Sequence, residues 1–181
     1  SYAADGYARL KGISAMVTTF GVGELSAVNG IAGAYAERVP VIQITGAPTR
    51  AVENAGKYVH HSLGEGNFDD YRKMYEPITT TQAYLTPENA QSEIPRVIEA
   101  ALTEKRPVHI HLPIDVASVE IEVDQPFEVP QHQGMDVAKY VNMIKEKLQS
   151  ADKPVIITGH EINSFDLHEK LEQFVNQTQI P

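Results

Sequence analysis

The chain has 181 residues, a formal net charge of −9 and no cysteine. The acidic balance argues against a nucleic-acid binder, which needs a basic face, and against binding to anionic membranes. The lack of cysteine excludes disulfides and thiolate metal sites and is compatible with a cytoplasmic location, and no apolar run reaches the roughly 20 residues of a membrane helix.

The first segments alternate between helix and strand. Residues 1–12 are rich in small side chains and predict a helix that ends at Gly12. The β-branched run at 13–20 predicts a buried parallel strand. A glycine turn and a second helix follow. For that helix we predict a buried stripe of Leu25, Val28, Ala32 and Tyr35.

The alternation continues through the next 70 or so residues, as expected of repeated strand–helix units. Residues 39–46 predict a strand, 50–68 a long polar loop and 68–75 a short helix. Residues 78–85 and 108–115 predict two more strands separated by a helix. This order predicts an α/β fold with a parallel sheet and helices on both faces.

The pattern changes after residue 118. Residues 119–135 contain prolines and polar residues and predict an interdomain linker. Residues 136–181 predict the start of a second α/β domain, with a buried strand at 154–159. Because the chain opens without Met and already in a helical pattern, we expect it to be a piece of a longer protein.

The turn that contains Gly21 and Gly23 is the first candidate site. Ligands of α/β proteins bind outside the carboxyl ends of strands, where this turn is predicted to lie. The third glycine of a dinucleotide fingerprint is missing, and Glu24 in the first helical turn disfavours a phosphate. A neutral heterocycle is more compatible, although a tight strand–helix connection alone would also explain the glycines.

Histidines supply the other candidates. His60 and His61 lie in the glycine-containing loop, where two imidazoles suit proton transfer or the binding of a carboxylate, unless they are simply solvated. His109 and His111 alternate with apolar residues and therefore share one strand face. Since no third metal ligand is near, we interpret them as part of a polar strand face or a domain contact.

Four segments together carry a resemblance to a known family. They are Ala3–Gly12, Thr19–Ala27, Ala34–Glu37 and the pair His60–His61, in this order and spacing. Together they resemble the thiamine-diphosphate-dependent 2-oxo acid decarboxylases of the pyruvate and indolepyruvate decarboxylase group. The resemblance is strong over about the first 120 residues and loose beyond them.

The resemblance implies a role for each segment. Residues 1–118 would be a pyrimidine-binding domain, incomplete at its N-terminus, and residues 136–181 would begin the central domain. In the family, the turn lies against the pyrimidine ring of thiamine diphosphate, which implies cofactor binding by Thr19, Gly21, Val22 and Gly23. The paired histidines act in catalysis, which implies catalytic roles for His60 and His61.

The resemblance also implies parts that this chain lacks. The activating glutamate would fall before Ser1, and Mg²⁺ with the diphosphate would bind to a further domain, so we expect no metal ligands here and no activity of the fragment alone. The partners would be a 2-oxo acid and further copies of the chain, as a dimer or tetramer. Whether the acid is indolepyruvate, pyruvate or a branched-chain acid stays open.

Two other functions remain possible at the level of sequence. The first is a thiamine-diphosphate enzyme of the acetolactate synthase or oxidase type, which the segment ending at Val116 would suit equally. His60 and His61 favour the decarboxylases. The second is a non-catalytic α/β module that binds a ligand or a partner subunit.

Overall fold

The computed structural model describes residues 1–123, 127–128 and 136–181. It divides the chain into two units, residues 1–130 and 131–181, which are described separately. Much of the predicted linker 119–135 lies outside the described residues.

The first unit alternates helices and strands as expected. Its elements are α1 (Tyr2–Lys11), β1 (Ser14–Thr19), α2 (Val22–Leu25), α3 (Val28–Ala36), β2 (Val41–Ala47), α4 (Arg50–Asn54), α5 (Asp69–Tyr75), a 3₁₀ turn (Glu76–Ile78), β3 (Gln82–Tyr84), α6 (Ala90–Glu104), β4 (Val108–Pro113) and α7 (Ile114–Ala117).

The four strands form one parallel sheet in the order β1-β2-β4-β3. The predicted α/β fold with a parallel sheet is therefore confirmed. Because all strands run the same way, the carboxyl ends of β1, β2 and β4 meet at one edge of the sheet. The glycine turn follows β1 at this edge.

Helices cover the two faces of the sheet. On one face α1 and α3 enclose a core that includes Ala8, Ile31 and Tyr75. On the other, α6 packs Val97 and Ala101 against residues of β3 and β4. The two cores leave a band of polar side chains on β2 and β4, described below as part of the site.

The helix after the glycine turn differs from the prediction. It is interrupted between α2 and α3, at residues 26–27. Independently of this break, the predicted stripe is wrong by one position, because each predicted residue is only partly buried and the residue before it is buried. The fully buried residues are Ala27, Gly30, Ile31 and Ala34.

Two further predictions need correction. The loop predicted at 50–68 begins with a short helix, α4, whose first turn is capped by the hydroxyl of Thr49 accepting from the Val52 N–H. The strand predicted at 78–85 is only Gln82–Tyr84, because a 3₁₀ turn with Pro77 includes Ile78 and only residues 82–84 pair with β4.

The second unit contains α8 (Ala138–Ser150), α9 (Glu161–Ser164) and α10 (His168–Thr178). The buried strand predicted at 154–159 is not formed, and the Ile157 side chain there is 95% exposed. The Ile156 N–H donates to the carbonyl of Pro181 and not to a neighbouring strand. In the described part of the chain, no helix is both long and apolar enough to span a membrane.

Candidate functional site

The glycine turn lies at the carboxyl edge of the sheet, between the end of β1 at Thr19 and the start of α2 at Val22. Gly21 has φ 67° and ψ −125°, a conformation that only glycine adopts readily. The side chain of Val22 is 50% exposed beside it. The predicted cofactor-binding residues Thr19, Gly21, Val22 and Gly23 therefore lie on one short segment, in which Gly21 is buried and Thr19 and Val22 are exposed.

Glu24 is buried under this turn, with only 1% of its surface exposed. Its Oε1 atom accepts a hydrogen bond from the Gly21 N–H at 2.8 Å, and its Oε2 atom accepts one from the Thr45 hydroxyl at 2.9 Å. A buried carboxylate is tolerated only with such partners. The Glu24 carboxyl group is thus a buried hydrogen-bond acceptor for the turn and does not lie on the surface.

His109 of β4 completes this cluster. Its Nε2 atom lies 2.9 Å from Thr45 Oγ1 and 3.5 Å from Glu24 Oε2. Tyr75 stacks on the imidazole at 4.6 Å, and its hydroxyl donates to the backbone carbonyl of Glu24 at 2.5 Å. Burial lowers the pKa of His109 and outweighs the opposing effect of Glu24, so the imidazole is neutral near pH 7.

His111, two residues further along β4, has a similar environment. Its Nε2 atom lies 2.8 Å from Glu53 Oε1, and both side chains are more than nine-tenths buried. Tyr84 stacks on this imidazole at 4.9 Å and donates its hydroxyl to Glu53 Oε2 at 2.6 Å. Burial, together with Glu53, raises the pKa of the Tyr84 hydroxyl. This cluster ties α4 to the sheet.

The sequence indicated part of this arrangement. His109 and His111 do share a polar strand face, but it is buried within the first unit. Glu24 and Glu53, which face the two imidazoles, were missed as site residues. Acids and histidines meet here through strand pairing between distant segments, and the only local signal is the alternation of His109 and His111 with apolar residues.

His60 and His61 lie in a loop that begins and ends at a glycine. Its two ends, Gly56 and Gly66, both have positive φ and are in close contact. A Cβ atom added to Gly66 would lie 2.4 Å from the Gly56 carbonyl oxygen. Residues 56–66 therefore form a compact Ω-type loop, which we call the histidine loop.

The histidine loop contacts the glycine turn directly. The carbonyl of His61 accepts a hydrogen bond from the Val22 N–H at 3.0 Å, and the His61 ring meets Phe20 edge-on at 5.9 Å. A Cβ atom on Gly21 would lie 1.6 Å from the His61 carbonyl oxygen. The structure thus brings His61 together with Gly21 and Val22, while His60 is exposed on the same loop.

A cleft of about 240 Å³ lies at the neck of the histidine loop. In its wall Arg72 pairs with Asp69 of the same helix at 2.5 Å, and His111 hydrogen-bonds to Glu53. The Glu53–His111 contact joins α4 to β4, and the Gln82 side chain of β3 donates to the Arg72 carbonyl of α5 at 3.1 Å. The cleft is lined by Glu53, Asn54, Gly66, Asn67, Phe68, Asp69, Arg72, Tyr84 and His111.

Comparison with known proteins identifies the class. Residues 1–71 match the family described as thiamine pyrophosphate enzyme, N-terminal TPP binding domain. A solved structure from Mycobacterium smegmatis, described as a thiamin diphosphate-dependent enzyme, shares the fold with a TM-score of 0.80 and 20% identity, over 98% of this chain and 34% of that one. The matched segment includes both the glycine turn and the histidine pair, so residues 1–71 are assigned to this domain family.

Curated relatives narrow the class. The chain is 39% identical over 182 residues to a pyruvate decarboxylase of Aspergillus parasiticus, covering 96% of this chain and 31% of that protein. It is 45% identical over 145 residues to an alpha-keto-acid decarboxylase of Mycobacterium avium (strain 104), covering 80% of this chain and 26% of that protein. The chain is therefore similar to curated 2-oxo acid decarboxylases over most of its own length, and it spans about a third or less of the length of these relatives.

The contact between the turn and the loop yields a first test. Gly21→Ala should displace His61, because the added Cβ meets its carbonyl and alanine is strained at φ 67°. Loss of the Val22 hydrogen bond, worth about 1 kcal/mol, should speed hydrogen exchange at that amide about fivefold.

Gly33→Ala is the matched control, because an added Cβ there has no atom within 4 Å. It should leave the Val22 amide protected and stabilise α3 by about 1 kcal/mol. Unchanged protection of Val22 in Gly21→Ala would contradict the contact.

The buried imidazole yields a test of pH dependence. The folded chain keeps His109 neutral, whereas the unfolded chain protonates it below its ordinary pKa of 6.5. The unfolded state then binds more protons, so the free energy of unfolding falls as the pH falls below about 6.5, by at most about 1.4 kcal/mol per pH unit for this group. Urea unfolding at several pH values measures this slope.

His109→Gln should have a smaller pH slope than the wild type, whatever its absolute stability. His168→Gln, at an exposed histidine of α10, should keep the wild-type slope. Equal slopes for wild type and His109→Gln would show that His109 contributes nothing to the pH dependence.

Proposed function

We propose that this chain supplies the pyrimidine-binding half of the active site of an enzyme that converts a 2-oxo acid to an aldehyde and carbon dioxide. The observation that carries the proposal is the hydrogen bond between the His61 carbonyl and the Val22 N–H, which joins the histidine loop to the glycine turn. Relatives named pyruvate decarboxylase and alpha-keto-acid decarboxylase support the reaction class.

The turn formed by Thr19, Gly21, Val22 and Gly23 would hold the aminopyrimidine ring of thiamine diphosphate. The exposed Val22 side chain offers an apolar surface for a flat ring. The charge of Glu24 is held inward by its hydrogen bonds, so it does not face a ligand on the turn. These features fit a neutral heterocycle.

His60 and His61 would be the catalytic residues. Both side chains are exposed on the loop beside the turn, where a substrate can reach them. An imidazole both donates and accepts protons near neutral pH, as the conversion of a 2-oxo acid to an aldehyde requires. When bound, thiamine diphosphate supplies the electron sink for the loss of carbon dioxide.

The remaining parts of the proposal rest on the family resemblance. Mg²⁺ and the diphosphate would be bound outside this chain, by a further domain of another copy in a dimer or tetramer. In residues 1–123, 127–128 and 136–181, no three potential ligands are close enough to hold a metal ion. The enzyme would be cytoplasmic and would act on indolepyruvate, pyruvate or a branched-chain 2-oxo acid.

Substitution of the histidines tests the proposed chemistry in the full-length enzyme. His60→Ala and His61→Ala should each lower kcat for aldehyde formation about 100- to 10,000-fold, the usual range for loss of an acid–base group. Assays with pyruvate, indolepyruvate and a branched-chain acid would also identify the substrate.

His168→Ala is the control, since this histidine is exposed in the second unit. It should keep wild-type kcat. Wild-type turnover in both loop variants would contradict a catalytic role for the pair.

Residues 1–181 alone are expected to bring about no decarboxylation. The turn and the histidine loop provide one part of the site, and the resemblance assigns the activating glutamate and the Mg²⁺ site to other segments. Aldehyde formation from any of these acids by the purified 181-residue chain, with thiamine diphosphate and Mg²⁺ added, would refute this expectation.

A further inference from the structure

The most deeply buried charge near the turn has no part in the proposed chemistry. Glu24 is 1% exposed, only two residues from the half-exposed Val22. Placing a carboxylate in the interior is costly unless its oxygens receive hydrogen bonds. The groups that donate hydrogen bonds to Glu24 therefore indicate the structural role of this buried side chain.

The hydrogen bonds of the Thr45 hydroxyl can be assigned a single donor-to-acceptor direction. The Thr45 hydroxyl donates its single hydrogen to the Glu24 carboxyl oxygen Oε2. The Thr45 oxygen must then accept from the neutral His109, whose Nε2 atom carries the hydrogen. His109 Nδ1, which is buried and has no hydrogen-bond partner in the described residues, carries the lone pair.

The chain of hydrogen bonds ends at the turn. It runs from His109 to Thr45, from Thr45 to Glu24 Oε2, and the other carboxylate oxygen accepts the Gly21 N–H at 2.8 Å. Each donor points toward the carboxylate, which strengthens the charge-assisted bond to Gly21. Glycine has no side chain to restrict its backbone. The hydrogen bond to Glu24 therefore helps to hold Gly21 in its observed conformation.

We propose that Glu24, Thr45 and His109 form a positioning unit that holds the glycine turn in the shape that receives the cofactor ring. The three residues do not touch the cofactor; they act through the Gly21 N–H. The proposal rests on the proposed function for the identity of the ligand. The order of the turn itself can be measured without any ligand.

Thr45→Val in the full-length enzyme is the direct test, because it removes the hydroxyl and nearly preserves the volume. Its dissociation constant for thiamine diphosphate, measured by titration calorimetry with Mg²⁺ present, should rise about tenfold, equivalent to about 1.4 kcal/mol. Hydrogen exchange at the Gly21 amide of the cofactor-free protein should become faster. The kcat at saturating cofactor should stay close to wild type.

Two substitutions separate positioning from general packing. Thr45→Ser keeps the hydroxyl and should restore wild-type affinity and Gly21 protection. Thr18 lies opposite Thr45 in the sheet, but its hydroxyl accepts a hydrogen bond from Gln43 Nε2 at 2.7 Å and has no bond to Glu24 among those described. Thr18→Val therefore removes a neighbouring hydroxyl outside the chain of hydrogen bonds. It should leave the cofactor affinity and the exchange at Gly21 unchanged.

The possible outcomes are distinct. Wild-type affinity and Gly21 protection in Thr45→Val, or equal losses in Thr18→Val, would overturn the positioning unit. If Thr45→Val does not fold, Glu24→Gln replaces it, since the amide keeps one acceptor oxygen for Gly21 but presents an NH₂ group to Thr45; the same weakening is expected. A wild-type enzyme that binds no thiamine diphosphate would refute the proposed function, and Gly21 exchange would still decide the positioning unit.

Discussion

The backbone of Gly21 is the point on which the candidate site depends. Its N–H is bound from below by the Glu24 carboxylate, and the His61 carbonyl occupies the place where a side chain would be. Its positive φ lets both contacts exist at once. The glycine turn and the histidine loop therefore cannot be arranged independently of each other.

Strand β4 provides the rigid support for both segments. His109 reaches Glu24 beneath the turn, and His111 reaches Glu53 in α4, just before the histidine loop. Each imidazole is also stacked on a tyrosine. The glycine turn and α4, which leads into the histidine loop, are thereby attached to an interior strand of the sheet.

Sequence periodicity predicted the four strands of the first unit, although β3 is shorter than expected, and hence the sheet edge proposed as the ligand site, because the parallel order places the carboxyl ends together. It failed for the helix after the turn, where the buried face contains Ile31 and Ala34, one position before the predicted Ala32 and Tyr35. It failed also at 154–159, where a β-branched run is not paired with another strand. The buried pairs of Glu24 and Glu53 with histidines arise from tertiary packing, which local patterns do not encode.

The hydrogen bonds of the glycine turn give a second reason, beside Glu24, why the turn is a poor binding site for a phosphate. An anion at a helix N-terminus needs free backbone N–H groups. Here the Gly21 N–H is taken by Glu24 and the Val22 N–H by the His61 carbonyl. These two donors are occupied inside the protein, and the half-exposed Val22 side chain offers an apolar surface beside them. Under the proposed function, this surface would receive the neutral pyrimidine ring, and the charged end of the cofactor would bind outside this chain.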